Sequence, residues 1–379
     1  MSEPATEVPV EEKKTSWSEL FFDLVFVFAV TEVSSLLEHD HSWVGVLRAL
    51  VVFVPIYWVW VGVTVQGDVR DLSAPLLRIT VFAVALGGMF MALAVPDAYG
   101  SRAMVLALSY WASRLLLGIV MLGPARRRLN PVTVSMAFTG PLLVIGAISH
   151  GDVRLAVWGV AAVIDLSTPS ILRSRLAGMH FEAAHLAERF GLFVLIAIGE
   201  SVVAIGGTAQ VHGPITVGIG GTVAVAFVVS CGLWWVYFHF AADAVRHALA
   251  TAAVQTNITR LVLSYGHLAF IAGIIAASVG LREAVADPGR VLSGGSLGLL
   301  FVGSALYLAT FGYTRWMMFR LVSTTRLTAA AVVLVAMVPA GHVPAVAALG
   351  ILGAVLIGLN TIELMHNSRL GWRSLLARR

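Results

Sequence analysis

Apolar residues run through this chain in blocks of near 20, broken by short polar stretches that hold Gly, Pro and Arg. A helix rising ~1.5 Å per residue needs ~20 apolar residues to cross a hydrocarbon layer ~30 Å thick. The blocks lack the ~10-residue alternation of outer-membrane strands, so they predict helices. Twelve spans are expected, over residues 17–37, 43–65, 76–95, 102–122, 131–149, 153–169, 190–209, 215–239, 257–280, 295–314, 327–340 and 343–364. The expected organisation is a polar tail (1–16), a six-helix membrane unit (17–169), a polar connector (170–189), a second six-helix unit (190–364) and a basic tail (365–379).

The two units look like copies of one another. Phe190 to Ser201 laid over Phe22 to Val33 matches at Phe, Leu, Ala and Glu, which sets Glu200 level with Glu32. Trp60 and Asp68 are spaced like Trp235 and Asp243, and Arg78 precedes the third span as Arg260 precedes the ninth. Six is even, so both units share one orientation and the duplication would be parallel, about an axis along the membrane normal. The fifth span is broken by Gly140-Pro141 and the eleventh is short before Pro339; paired irregular spans of this kind point to a transporter site. A proline kink made good by neighbouring helices is the plainer reading.

Composition agrees with a polytopic membrane protein. Of 379 residues, 58% are hydrophobic and only 12% charged, against ~45–50% apolar in soluble domains; the mean hydropathy is +0.88. Of the 25 Lys and Arg, 19 fall on one side when the N-terminus is taken as cytoplasmic, which predicts an inner-membrane protein with both termini inside. The basic residues flank apolar segments, so the sequence pI near 9.5 reflects orientation and not a nucleic-acid partner. Membrane lipids and a small-molecule or ion substrate are the expected partners; nothing bears on oligomeric state. Cys231 lies in an apolar run and reads as a small core residue.

Ionisable residues inside the spans carry the candidate chemistry, because an acid at the bilayer centre costs ~2.5–3.5 kcal/mol even on lenient scales. Glu200 lies ten residues beyond Phe190, or about 15 Å into the membrane. Glu19 and Asp23 share one face of the first helix, where close carboxylates retain a proton or cation. Glu19 has a second reading as a helix cap at the headgroups. Glu32 is half a turn away from Asp23 and belongs to other contacts. Asp165 sits late in the sixth span, and Arg114 is the one deeply placed cation, hence the partner of an acid that the sequence leaves open.

The connector adds His180, Glu182, His185, Glu188 and Arg189, several of them three or four apart on one face of a helical entry to the seventh span. A hydrogen-bonded cytoplasmic cluster is expected there in preference to a metal site, since no zinc spacing or His-Glu-x-x-His helix occurs. His239, Asp243 and His247 read as an interfacial row, and His267 as an interior histidine with its hydrogen bonds met. No nucleotide loop or nucleophile elbow is found, and no cofactor or metal is expected.

Two motifs give a resemblance. Trp17-Ser18-Glu19-Leu20-Phe21-Phe22-Asp23-Leu24-Val25-Phe26-Val27, with His185-Leu186-Ala187-Glu188-Arg189-Phe190-Gly191-Leu192-Phe193 and Gly199-Glu200-Ser201, resembles the bacterial low temperature requirement A family. The resemblance implies a multi-pass inner-membrane protein of a family named for growth in the cold, and carries over no biochemical activity. The expected function is a secondary transporter or ion-coupled permease. Glu32 and Glu200 would be its interior sites, and Glu19, Asp23, Glu188 and Arg189 its cytoplasmic gate. The alternatives are an intramembrane enzyme on a lipid or prenyl substrate, with His185 and Arg189 at the headgroup, and a membrane scaffold or stress-response protein.

Overall fold

Helix starts in this chain are set by small polar residues ahead of the apolar blocks. Ser16 opens the first helix with a capping box: its hydroxyl accepts from the Glu19 amide, and the Glu19 carboxylate accepts from the Ser16 amide. Ser42, Thr216 and Ser293 cap three further helices with their hydroxyls. Each cap satisfies an amide that would otherwise lie unpaired near the membrane surface.

A computed structural model describes residues 15–70, 72, 74–122, 128–211, 216–239 and 241–376, without the side chains of 211 and 367–376. These residues form helices and connections, with no strand among them. In order they are α1 (Trp17–His39), α2 (Trp43–Val69), α3 (Pro75–Ala94), α4 (Ala103–Leu116), α5 (Pro131–Val134), α6 (Gly140–Ile148), α7 (Gly151–Ile171) and α8 (Arg173–Leu176). The second half holds α9 (Ala183–Val211), α10 (Val217–Phe238), α11 (Ala241–Thr251), α12 (Gln255–Ile258), α13 (His267–Ala286), α14 (Gly294–Phe319), α15 (Thr324–Ala340) and α16 (Ala345–Leu376). Wide π-helical turns follow α4 (Leu117–Met121) and bridge α5 to α6 (Ser135–Thr139) and α12 to α13 (Thr259–Gly266).

All twelve expected segments are helical, and ten stretches among the described residues are long and apolar enough to cross a membrane. The two that fall short have a physical reason. α15 has only 17 residues, and α7 carries Arg154 and Asp165 within its 21. Helix α9 starts at Ala183, so the end of the expected connector is about the first two turns of a long helix. At the C-terminus the backbone of α16 stays helical to Leu376; most of the N-terminal tail lies outside the described residues.

The interior is built on α2 and α13, the most buried of the spans, with α1, α9 and α14 packed around them. Close approach of α13 and α14 depends on glycine. A Cβ on Gly303 would lie 2.7 Å from the Gly273 carbonyl oxygen, and one on Gly273 would lie 2.8 Å from that of Gly303. Small-residue contacts of this kind let membrane helices pack without a hydrophobic driving force between them. Outward faces are apolar, as on α3, where Leu76, Ile79, Phe82 and Leu86 are exposed. Cys231 is also exposed, on α10, and so is not the core residue that its apolar surroundings suggest.

The two halves differ at positions that the sequence aligns. Trp60 and Asp68 are buried, whereas Trp235 and Asp243 are exposed. The fifth span contains a π turn, whereas α15 runs as a regular helix.

The glycine contact predicts opposite results for one substitution at two places on α14. Gly303→Ala meets backbone and should lower stability by about 1–3 kcal/mol, whereas Gly298→Ala, which meets nothing within 4 Å, should leave it level or higher. Thermal unfolding of both variants in one detergent checks this.

Candidate functional site

Three helices each present polar residues one turn apart at a shared end of the molecule. On α1 these are Glu19 and Asp23, on α9 His185 and Arg189, and on α2, read inward from its end, Asp68, Thr64 and Trp60. Residues four apart share a helix face at about 5–6 Å, so the three rows make two stacked layers. The layers register because α2 ends where α1 and α9 begin.

In the outer layer, His185 lies between two acids. Its Nδ1 is 2.7 Å from Asp68 Oδ1 and its Nε2 is 3.2 Å from Glu19 Oε1. Both acids are held from behind: Asp68 Oδ2 accepts from the Glu182 amide at 2.9 Å, and Glu19 Oε2 accepts from the Ser16 amide at 2.9 Å and hydroxyl at 2.8 Å. Glu19 is therefore both a helix cap and a member of the cluster. In the inner layer, Arg189 Nη2 donates to Asp23 Oδ1 at 2.8 Å and to Thr64 Oγ1 at 3.4 Å, while Trp60 Nε1 donates to the same Asp23 oxygen at 2.7 Å. Aromatic rings close the cluster inward. Trp60 stacks on Phe193 with centroids 4.3 Å apart, Phe190 meets it edge-on at 5.0 Å, and the Arg189 guanidinium lies 5.9 Å over its ring.

Proton counting says what the outer layer holds. Each imidazole nitrogen faces a carboxylate oxygen, and each contact needs one proton, whereas a neutral imidazole has one N–H. Where both nitrogens donate, Nε2 to Glu19 Oε2 at 3.4 Å and Nδ1 to Asp68, the triad holds one proton more than a neutral histidine between two carboxylates. The two nitrogens point to opposite sides, so the ring bridges the acids and does not aim with them at one point. No group of three or more His, Cys, Asp or Glu among the described residues is arranged to hold a metal ion. The inner layer is a neutral pair. Asp23 Oδ2 and Arg189 Nε and Nη1 are buried without a hydrogen-bond partner among the described residues. Unmade bonds of that kind cost ~1–3 kcal/mol each, and such donors and acceptor suit a small polar or ionic ligand.

Arg114 on α4 and Asp165 on α7 form a second set. Pro141 has no N–H and cannot complete a regular helical ladder. The chain widens into the π turn Ser135–Thr139 just before it, and the Ser135 and Thr139 hydroxyls both donate to Asp165 Oδ1, at 2.7 and 2.8 Å. Tyr110 links the charges: its hydroxyl donates to Asp165 Oδ2 and accepts from Arg114 Nε at 3.2 Å. The acid that the sequence leaves open for Arg114 is thus Asp165, reached through Tyr110.

Glu200 belongs to a third set, toward the other end of α1. It is buried 3.8 Å from Arg282 Nη2, and Arg282 also pairs with Glu38 at 3.1 Å and donates to Ser34 Oγ. Glu32 does not join it; it is half-buried and forms no hydrogen bond or ion pair among the described residues. Glu188 is exposed on the outer side of α9, away from its neighbours His185 and Arg189. His267 is an interior histidine with both nitrogens met, by Tyr237 Oη at 2.7 Å and the Val262 carbonyl at 3.0 Å. In the row His239, Asp243 and His247, all exposed, His239 stacks on Trp235 at 4.7 Å.

The model of the family described as bacterial low temperature requirement A protein (LtrA) matches residues 14–361, which takes in all three sets. The chain belongs to the LtrA family. An uncharacterized protein of Rhizobium meliloti (strain 1021) is 31% identical over 295 residues, covering 73% of this chain and 71% of the relative. No solved structure gives a significant match.

In this LtrA chain, sequence reasoning found Glu19, Asp23, His185 and Arg189 but missed the wall that joins them. Trp60, Thr64 and Asp68 recur every four residues along α2, and that stripe was the available signal. Arg282 carries no motif or spacing that singles it out in the sequence, and only the fold sets it beside Glu200.

The inner layer of this LtrA site predicts a strong coupling. Arg189→Gln strands the buried Asp23 carboxylate and should cost about 3–5 kcal/mol, which Asp23→Asn in the same chain should largely restore. Glu188→Gln, at an exposed position, should stay within about 0.5 kcal/mol. Thermal unfolding of the single and double variants provides the cycle.

Proposed function

We propose that this LtrA protein is a proton-coupled secondary transporter of the bacterial inner membrane, with both termini cytoplasmic and the outer-layer triad as its proton site. The observation that carries the reading is His185 enclosed between Glu19 and Asp68, with an acid at each ring nitrogen. Coupling needs a group that takes up and releases a proton while largely dehydrated, and a histidine shared by two carboxylates has two nearly equivalent ways to hold it. The three rows also lie at helix ends, where α1, α2 and α9 meet the polar boundary, so a small separation of these helices admits water to the triad. The Glu200–Arg282 set, toward the opposite end, suits a second gate on the same path.

The enzyme reading has less support. An acid or base must come within hydrogen-bond reach of its substrate. The cavity of about 760 Å³ beside the cluster, however, is lined by none of Glu19, Asp23, Asp68, His185 or Arg189. A scaffold would need polar contacts for packing alone, and the unpartnered atoms of Asp23 and Arg189 work against that purpose.

Proteoliposomes with an imposed pH gradient test the proposal. Wild type should carry protons above the level of empty vesicles when candidate solutes are supplied. His185→Gln and Glu19→Gln should each lower that flux at least tenfold while the protein stays folded. Flux unchanged in both variants would remove the triad from the transport path.

A further inference from the structure

A cavity of about 760 Å³ lies against the other face of α2. Five arginines line it: Arg70, Arg114, Arg128, Arg175 and Arg260. No Asp or Glu lines it among the described residues, which is unusual for so many cations in one place. Arg128 and Arg175 are exposed at its rim, whereas Arg114 is 1% exposed at depth. Between rim and floor the walls are apolar, with Trp58, Val61 and Val65 of α2 facing Val132 and Phe181.

Arg114 gives the cavity a direction. Its Nε is engaged by Tyr110, but its Nη2 is buried with no hydrogen-bond partner among the described residues. Gly62 makes room for the guanidinium against α2, since a Cβ there would lie 2.6 Å from Arg114 Nη1. A buried guanidinium with a free N–H, at the end of an apolar passage rimmed by more arginines, suits an anion with several oxygen acceptors. The apolar walls demand that the same ligand carry a hydrocarbon or ring body, and the volume is that of a small organic molecule.

We propose that this cavity binds an amphipathic organic phosphate, its phosphoryl oxygens on the arginines and its apolar part along Trp58, Val61 and Val65. As a statement of what is transported, the inference rests on the transporter reading; as a binding site it stands without it. A bilayer lipid monophosphate and a soluble alkyl or aryl phosphate share this chemistry.

The experiment measures binding directly, with full-length protein in nanodiscs of zwitterionic lipid and tryptophan fluorescence as the signal, since Trp58 lines the cavity. The probes are octyl phosphate, inorganic phosphate, octyl glucoside and a long-chain prenyl phosphate placed in the disc. Octyl phosphate or the prenyl phosphate should bind saturably, with inorganic phosphate at least tenfold weaker and octyl glucoside silent. Octyl phosphate binding from water assigns a soluble ligand, and binding of the prenyl compound alone assigns a bilayer lipid. Arg114→Gln should weaken binding by about 10–100-fold, the worth of a charge-assisted contact. Because Arg114 also touches Tyr110, the rim pair Arg128→Gln/Arg175→Gln gives a second reading at exposed positions that should not disturb folding.

Absence of saturable binding by either phosphate, equal binding of octyl glucoside, or binding that ignores both sets of variants would overturn the inference. His185→Gln, which lies outside the cavity, should keep saturable phosphate binding, with any change in affinity smaller than that of Arg114→Gln. A chain that binds the phosphate but moves no protons therefore rejects the transport reading alone.

Discussion

An ionised side chain in the hydrocarbon layer has to be neutralised where it stands, because no solvent is there to do it. The three polar sets obey this constraint, and the helices are arranged around them. Asp23 meets Arg189, Asp165 meets Arg114 through Tyr110, and Glu200 meets Arg282. Each pairing joins helices that are distant in sequence: α1 with α9, α4 with α7, and α9 with α13. Burying such pairs is weak evidence for stability, since apolar packing often does as well. Their constraint is positional. A helix that slides one turn along its neighbour strands a charge, so the sets fix the axial register that apolar packing leaves loose.

The outer triad depends on that register more than the other sets do. His185 has two short contacts only if α1 and α2 end at the same level, and the caps at Ser16 and the Glu182 amide fix those ends. The aromatic floor holds the level from inside, with Trp60 locked between Phe190 and Phe193 while its N–H reaches Asp23. A cluster this tightly framed holds its geometry in one state and loses it as a unit when any of the three helices moves.

Much of this was legible in the sequence because helix period and membrane thickness leave little freedom. Span positions follow from apolar length alone, and the pairs Glu19/Asp23 and His185/Arg189 follow from a spacing of four. What sequence cannot supply is which helices face one another. Asp68 was visible only as half of an apparent repeat with Asp243, and nothing in the sequence singled out Arg282; both acquire meaning from neighbours more than 80 residues away. The Gly140-Pro141 break was legible too, but its consequence was not. Lost ladder bonds left the chain free to widen, and only the packing of α7 decided that the widened turn would serve Asp165.

The triad and the arginine cavity share α2 as a common wall. Trp60, Thr64 and Asp68 face the triad side, while Trp58, Val61 and Val65 face the cavity. The segment leading into α9 joins them again, since Phe181 lines the cavity and the next residue, Glu182, donates its amide to Asp68. Two ligands influence each other only through an element whose position both of them bias. Here that element is α2 with its Phe181–Glu182 strap. An anion bound at Arg114, as proposed, would bear on one face of α2, and a proton leaving His185 would bear on the Asp68 contact on the other. Both would act on the same helix, so coupling between the two proposed sites would need no longer chain of residues than that.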